Sequence, residues 1–186
     1  MFFVLEGADG TGKSTQAKKL AKCFGAVSYT LPKEFRERSS HIKNHAQPAD
    51  QYKFFRDGVC AASAEVEILL DKGFMVIADR YWVTTLTYFE TMGQDAKVDH
   101  FSDLLMPNLT FLLSADPDSQ VMRITERGLE KGDRVLLDRQ LELSARLYQN
   151  LVRYRQPFVA VDTVAFSEDE TSNLIEGVIR QRLDLT

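Results

Sequence analysis

The sequence contains little of what marks a secreted or membrane-bound protein. Of its 186 residues only Cys23 and Cys60 are cysteines, and no Cys-x-x-Cys pair occurs. Neither a disulfide framework nor a zinc site is therefore expected, and a reduced, cytoplasmic setting fits best. No apolar run approaches the length of a membrane span, and Glu6 and Gly7 end the first one. We therefore expect neither a membrane anchor nor a signal peptide.

The chain also lacks an excess of basic residues. Its 27 acidic residues outnumber the 23 basic ones, which gives a formal net charge of -4. Proteins that bind a phosphate polyanion usually carry the opposite balance, so no nucleic acid partner is expected, whereas a small nucleotide is compatible with this charge. The hydrophobic share of 44% and the length suit one compact core, so residues 1–186 are expected to form a single domain.

Short, nearly continuous apolar segments alternate with helical patterns along the chain. Strands are predicted at residues 2–5, 26–31, 74–78, 109–113 and 158–161. Helices are predicted at residues 13–24 and 57–72, along a face formed by Leu141, Ala145, Tyr148 and Val152, and over residues 174–183. This alternation predicts an α/β fold, a doubly wound parallel five-stranded sheet with helices on both faces, whose ligands bind at the carboxyl ends of the strands.

A phosphate-binding loop follows the first predicted strand. The string Gly7-Ala-Asp-Gly-Thr-Gly-Lys13-Ser14 matches G-x-x-x-x-G-K-[ST] and precedes the first helix. Glycines let backbone amides point at phosphates, and the helix N-terminus adds partial positive charge. Lys13 would reach the phosphates of ATP and Ser14 would ligate Mg²⁺. The expected nucleotide ligands here are Gly7, Ala8, Asp9, Gly10, Thr11, Gly12, Lys13, Ser14 and Thr15.

Guanine-nucleotide switches, motor ATPases and kinases all use such a loop. The residues at the end of the third predicted strand help to distinguish these classes. The chain has no Asn-Lys-x-Asp string of a guanine-nucleotide switch, and Asp79 is followed by Arg80 instead of a carboxylate that would activate water. An arginine at this place suits transfer to a bound acceptor, because it stabilises charge on the transferring oxygens. Asp79 is the second expected ligand of Mg²⁺. Asp79 and Arg80 could instead form a simple ion pair at the strand end.

At this point the chain resembles the thymidylate kinase family along nearly its whole length. Residues 6–16 (EGADGTGKSTQ) are similar to the family's E-G-x-D-G-x-G-K-S-T-Q. Asp79-Arg80-Tyr81-x-x-Thr84, followed by Tyr88, is similar to D-R-Y-x-x-S and its downstream aromatic residue. Residues 107–113 with the Asp-Pro-Asp at 116–118 are similar to the P-D-L-T strand and its D-P-E continuation.

The resemblance implies a phosphate-loop NTPase fold with a short lid at about residues 124–136. It implies transfer of the γ-phosphoryl group of ATP, with Mg²⁺, to dTMP or a related (deoxy)nucleoside monophosphate, by a homodimer. Asp9 would lie near the acceptor's sugar and phosphate, and Arg80 would hold that phosphate. Arg123, Arg127 and Arg134 look like arginines of a bacterial lid, with Arg123 near ATP. The catalytic set implied is Lys13, Arg80, Asp9, Arg127 and Arg134.

The chain departs from the family after the second strand. The T-R-E-P-G-G segment is missing there, but Phe35-Arg-Glu-Arg38 resembles the eukaryotic F-P-E-R, so Arg38 is the candidate phosphate ligand and Arg36 the second choice. A stacking phenylalanine and a base-reading arginine would come from residues 54–56, although their spacing to Gly73 differs by about one helical turn. The expected acceptor ligands are Asp9, Arg38, Phe54, Phe55, Arg56, Arg80, Thr84 and Tyr88.

Three alternatives stay open at this stage. A deoxynucleoside kinase would phosphorylate a free hydroxyl and need a general base, for which Glu34 and Glu37 are candidates. A non-catalytic nucleotide-binding module would keep the phosphate loop and lose the acceptor site. Finally, Tyr88 and Phe54 could belong to the core, and Arg127 and Arg134 could be surface charges.

Overall fold

Five parallel strands form one sheet in the computed structural model, which describes residues 1–128 and 137–184. The strand order is β2-β3-β1-β4-β5, so β1 lies at the centre between β3 and β4. The doubly wound parallel sheet expected from the sequence is thereby confirmed. The strands are β1 (Phe2–Glu6), β2 (Val27–Tyr29), β3 (Val76–Asp79), β4 (Leu109–Ser114) and β5 (Phe158–Asp162).

Helices cover both faces of this sheet. Within the described residues they are α1 (Lys13–Phe24), α2 (Lys33–His45), α3 (Pro48–Asp71), α4 (Trp82–Thr91), α5 (Pro117–Arg127), α6 (Gln140–Arg153) and α7 (Glu168–Asp184). Short 3-10 helices span Val98–Phe101 and Leu137–Arg139. None of the helices in the described part of the chain combines the length and apolarity that crossing a membrane requires.

The core is divided by the sheet, because successive side chains of a strand point to opposite faces. Phe2 and Val4 of β1 pack in a cluster with α3, α4 and α6, whereas Phe3 and Leu5 pack in a second cluster with α1 and α7. These four side chains are each at most 1% exposed. The central strand is therefore anchored from both sides, and its carboxyl end is a rigid place from which to start a loop.

Several predicted boundaries need correction. Strand β2 spans only Val27–Tyr29 of the predicted 26–31, and α7 begins at Glu168, before the predicted 174. Helix α3 begins at Pro48, nine residues before the predicted start at 57, because proline is well suited to the first helical position and Tyr52 already buries its ring. Strand β3 begins at Val76 instead of residue 74, since Phe74 lies in the turn after Gly73 and is 47% exposed.

The predicted face of α6 also needs correction. Leu141, Tyr148 and Val152 are 68%, 51% and 52% exposed, and Ala145 is exposed as well. The side of α6 that packs in the core carries Leu143, Leu147 and Leu151, each 0% exposed. The helix has two interleaved apolar stripes, and periodicity alone could not tell which of them meets the sheet.

Two helical glycines provide a matched test of the packing of α2 on α3. A Cβ atom at Gly58 of α3 would lie 2.9 Å from the Phe35 ring of α2, whereas one at Gly177 of α7 would meet nothing within 4 Å. Gly177→Ala should raise the free energy of unfolding by about 0.5 to 1 kcal/mol, because alanine favours a helix. Gly58→Ala should lose this gain or destabilise the protein, since the Phe35 ring must move. Urea unfolding of both variants measures the difference, and equal stabilisation would contradict the close packing of α2 on α3.

Candidate active site

The phosphate loop turns tightly at the carboxyl end of β1. Gly7 and Gly10 have φ angles of +152° and +78°, and Cβ atoms there would lie 2.4 Å from the Leu113 carbonyl oxygen and 2.7 Å from the Gln120 carbonyl oxygen. Only glycine fits these two places, because the loop is pressed against β4 and α5. Gly12 precedes α1, which has no side-chain cap, so the first amides of that helix are available to an anion.

Lys13 lies folded over the loop and is only 4% exposed. Its Nζ donates hydrogen bonds to the Ala8 carbonyl oxygen at 2.5 Å and to Thr11 Oγ1 at 3.2 Å. Burial and the nearby positive charge of Arg80 lower the pKa of Lys13 to about 7. In this structure the ammonium group of Lys13 is thus hydrogen-bonded to protein oxygens, whereas the sequence predicts that it binds the phosphates of ATP.

Ser14 and Asp79 meet at the edge where α1 begins and β3 ends. Ser14 Oγ donates a hydrogen bond to Asp79 Oδ2. The other carboxylate oxygen, Oδ1, is buried and has no hydrogen-bond partner among the described residues. A hydroxyl group beside a carboxylate with one unused oxygen is a donor set that suits a hard divalent cation.

Arg80 forms an ion pair with Asp9 of the phosphate loop. The ion pair with Asp79, which the sequence analysis kept as an alternative, is not the one that the structure shows. Its Nη2 forms an ion pair with Asp9 Oδ1, and its Nη1 donates to the Gly7 carbonyl oxygen at 3.3 Å. Burial opposes the positive charge, but Tyr88, Asp9 and Asp79 outweigh it and raise the pKa of Arg80. The guanidinium is thus a permanent cation, and its side chain is 27% exposed at the mouth of the loop.

Tyr88 of α4 completes a group of three side chains with Asp9 and Arg80. Its hydroxyl donates to Asp9 Oδ2 at 2.6 Å, and its ring lies 5.3 Å from the Arg80 guanidinium carbon. Burial raises the pKa of Tyr88, so its hydroxyl keeps its proton as a hydrogen-bond donor. The structure therefore brings together three residues that lie up to 79 positions apart in the chain.

A pocket of about 560 Å³ extends from this group along the phosphate loop. On its far side Arg123 bridges two walls: Nη1 donates to the Gly10 carbonyl oxygen at 3.2 Å and to Thr163 Oγ1 at 3.0 Å. Nη2 donates to the Thr163 carbonyl oxygen at 3.0 Å. Sequence reasoning missed the wall after β5, which is formed by Thr163, Phe166, Ser167, Glu168 and Thr171. In the sequence, the only indication of this wall was its position directly after the last predicted strand.

The predicted base ligands lie apart from this pocket, in an aromatic cluster of α2, α3 and α4. The Phe54 ring is 5.1 Å from Phe35, and the Phe55 ring is 6.3 Å from Phe89. The exposed Arg38 lies with its guanidinium carbon 5.6 Å from the centre of the Phe54 ring. Arg56 Nη2 forms an ion pair with Asp57 at 2.6 Å. None of the four predicted ligands, Arg38, Phe54, Phe55 and Arg56, lines the pocket described above.

The remaining predicted site residues are Thr84, Arg127 and Arg134. Thr84 is 8% exposed, and its hydroxyl donates to Glu6, so it has a protein partner where the sequence predicted an acceptor ligand. Arg127 ends α5, and the structure describes its backbone only. Arg134 and residues 129–136 of the predicted lid lie outside the described residues.

Comparison with known proteins places this geometry in context. The family model described as thymidylate kinase matches residues 5–175. The probable thymidylate kinase of Thermococcus gammatolerans is 28% identical, in an alignment covering 100% of this chain and 95% of that protein. The probable thymidylate kinase of Methanocaldococcus jannaschii is 29% identical, with coverages of 97% and 96%. A solved structure of deoxyadenosine kinase from M. mycoides with bound dATP superposes with a TM-score of 0.69 at 18% identity, covers 97% of this chain and all of the other, and shows that the fold is shared.

The bridge made by Arg123 can be tested by nucleotide binding. Arg123→Ala leaves the Gly10 and Thr163 acceptors without their donor, so the dissociation constant of ADP should rise about tenfold, which corresponds to 1.4 kcal/mol. Arg123→Lys should restore only part of the affinity, because an ammonium group cannot span three acceptors in a fixed plane. Isothermal titration measures both, with Arg180→Ala on the exposed side of α7 as the control. Unchanged affinity in Arg123→Ala would show that the bridge does not shape the pocket.

Proposed function

The chain belongs to the thymidylate kinase family, and from this premise we propose how its own residues carry out phosphoryl transfer. It is an ATP-dependent phosphotransferase that acts on a nucleoside monophosphate. The acceptor we propose is dTMP, the cofactor Mg²⁺, and the donor site the pocket along the phosphate loop. Assembly as a homodimer, which the resemblance implied, stays a prediction.

The observation that carries this proposal is the ion pair of Arg80 with Asp9 at the mouth of the phosphate loop. Transfer between two phosphates requires negatively charged groups to approach each other, so the main task of the protein is positioning and charge neutralisation. Arg80 is charged, partly exposed and fixed next to the loop, which is where an acceptor phosphate would approach the γ-phosphoryl group. No protein nucleophile is required, because the acceptor oxygen is already anionic.

Lys13 serves the donor side in this proposal. Its ammonium group now bonds to Ala8 and Thr11, and both acceptors belong to the loop that would surround the phosphates. Bound ATP would offer charged oxygens in place of these neutral ones, and charge-assisted hydrogen bonds are about twice as strong as neutral ones. Lys13 would therefore move from the loop to the β and γ phosphates and hold its proton there.

Ser14 and Asp79 are the residues proposed to hold Mg²⁺. The fit rests on the buried Oδ1 of Asp79, which has no hydrogen-bond partner within residues 1–128 and 137–184, and on the Ser14 hydroxyl that already lies against Oδ2. Mg²⁺ is usually bound by one or two protein oxygens together with phosphate oxygens and water, so two protein ligands suffice. Held by Ser14 and Asp79, Mg²⁺ would supply positive charge that offsets the negative charge developing during phosphoryl transfer.

The acceptor side is assigned to Asp9, Tyr88 and the cluster of α2 and α3. Asp9 holds Arg80 with one oxygen and accepts from Tyr88 with the other, so this carboxylate fixes the orientation of both groups. Arg38 is exposed on the Phe54 ring and is proposed to reach the acceptor phosphate from there. Phe54 and Phe55 are proposed to receive the base. A base contact by Arg56 would first require its ion pair with Asp57 to open.

Acceptor-dependent release of ADP from Mg-ATP tests the proposed substrate. The panel consists of dTMP, dUMP, dCMP, dGMP, dAMP, their ribonucleotides and the free nucleosides. We expect dTMP to be preferred, and Arg80→Ala to lower kcat/KM for it by about 10³-fold, as arginines of this type do in phosphoryl transfer. Preference for another monophosphate would change the substrate and keep the mechanism. Activity on nucleosides alone would establish the deoxynucleoside kinase alternative, and no activity would favour a binding module.

The proposed metal ligands call for a separate measurement. In Asp79→Asn the Mg²⁺ concentration for half-maximal activity should rise at least tenfold, since even outer-shell changes typically cost about 10- to 100-fold in metal affinity. Binding of ATP in EDTA should stay within about twofold, because the loop that holds the phosphates is unchanged. Asp71→Asn, at the exposed end of α3, is the control. A normal Mg²⁺ requirement in Asp79→Asn would remove Asp79 from the site.

A further inference from the structure

Glu6 is a fully buried carboxylate at the end of β1, and the binding of phosphates does not account for it. It is 0% exposed and stands directly before Gly7, the first residue of the phosphate loop. A buried carboxylate is costly unless several donors satisfy it. Burial raises the pKa of Glu6, while the Thr84 hydrogen bond and the charge of Arg80 oppose that effect. A group of this kind at the centre of a site needs a structural or functional reason.

Within the described part of the chain, the Glu6 carboxylate accepts hydrogen bonds from the N-cap and the first turn of α4. Glu6 Oε1 accepts from the Tyr81 amide at 3.1 Å and from the Thr84 amide at 3.3 Å, and Oε2 accepts from the Thr84 hydroxyl. Tyr81 is the N-cap of α4, whose own side chain makes no cap hydrogen bond. Glu6 therefore caps α4 from a different element, and its negative charge lies at the positive end of the helix dipole.

The same contacts fix the backbone around Arg80. Arg80 has φ of +72°, an uncommon conformation for a residue with a side chain. The Arg80 amide donates to the Leu5 carbonyl oxygen at 2.9 Å, and the next amide, that of Tyr81, donates to Glu6. Two consecutive residues of β1 thus hold the peptide groups on both sides of Arg80. From this anchored backbone the Arg80 side chain reaches the Gly7 carbonyl oxygen and Asp9.

We propose that Glu6 is a positioning residue for phosphoryl transfer, which holds Arg80 in its left-handed conformation by capping α4 through Tyr81 and Thr84. It contacts neither nucleotide and acts only through Arg80. The inference rests on the proposed function, since it assumes that Arg80 holds the acceptor phosphate. The carboxylate is required because both of its oxygens accept hydrogen bonds, whereas glutamine has one acceptor oxygen and an NH₂ group that only donates.

Glu6→Gln is the first variant, because it keeps the size of the side chain and removes one acceptor. We expect kcat/KM for the acceptor to fall about 10- to 100-fold. A displacement of a catalytic group by about 1 Å can lower the rate by this much. The dissociation constant of ATP, measured by titration, should change less than about twofold because Lys13 and the loop amides remain in place. A similar loss of ATP affinity would show general damage to the loop and overturn the proposal.

Thr84 provides a second variant with its own control. Thr84→Val removes the hydroxyl donor and should reproduce the effect of Glu6→Gln, whereas Thr84→Ser, which keeps the donor, should restore activity to within about threefold. Thr85→Val is the matched control, since Thr85 is the next residue of α4 and is also 8% exposed. Equal losses in Thr84→Val and Thr85→Val would mean that packing alone is affected.

A double-mutant cycle with Arg80→Ala decides whether Glu6 acts through Arg80. If it does, Glu6→Gln adds less than about twofold to the loss already caused by Arg80→Ala, because residues that act as a unit are not additive. Full additivity, with folded variants and an active wild type, overturns the inference and leaves the proposed function intact. If the wild type shows no acceptor-dependent ADP release, the proposed function fails first and the inference falls with it.

Discussion

The pairing of β1 with β3 is the constraint on which the candidate site depends. The two strands are parallel and in a register that sets Leu5 opposite Asp79, so the residues that follow each strand leave the sheet side by side. Gly7 and the phosphate loop follow one strand, and Arg80 follows the other. Asp9 and Arg80 can therefore meet although 71 positions separate them in the chain. A shift of either strand by one residue would turn its core side chains to the wrong face and separate these groups.

The cationic side chains of the site have acceptors within the protein itself. Lys13, Arg80 and Arg123 each already bond to oxygens of the loop or of its neighbours. These contacts stabilise the folded protein, because cations crowded together without acceptors would repel one another and bear the cost of desolvation. For Lys13 and Arg123, whose present acceptors are neutral oxygens, a phosphate would offer a charged oxygen and a stronger hydrogen bond. Arg80 already pairs with the Asp9 carboxylate.

Local motifs could be predicted from the sequence, but contacts between distant segments could be predicted only in part. The phosphate loop and the strands beside it follow from a contiguous pattern and apolar runs. The bond between Ser14 and Asp79 needed the sheet order as well, and the sequence suggested Asp79 as the ion-pair partner of Arg80, whereas the structure pairs Arg80 with Asp9. The pocket wall at Thr163 and Phe166 carries no motif, so it emerged only from the position of β5. In the capping of α4, Glu6 contacts Tyr81 and Thr84, which lie 75 and 78 positions further along the chain. No local sequence pattern predicts these contacts.

The acceptor base is the part of the reaction that these contacts constrain least, and the aromatic cluster explains why. Gly58 leaves room for the Phe35 ring between α2 and α3, and Phe35 then packs against Phe54. Arg38 also lies against Phe54, with its guanidinium carbon 5.6 Å from the centre of the ring. A base that stacks on Phe54 where Arg38 now lies would displace this side chain, and its cation would then be available to a phosphate of the same acceptor. Recognition of the base and of the phosphate would thereby be coupled through one ring, which a description of isolated base and phosphate ligands does not capture.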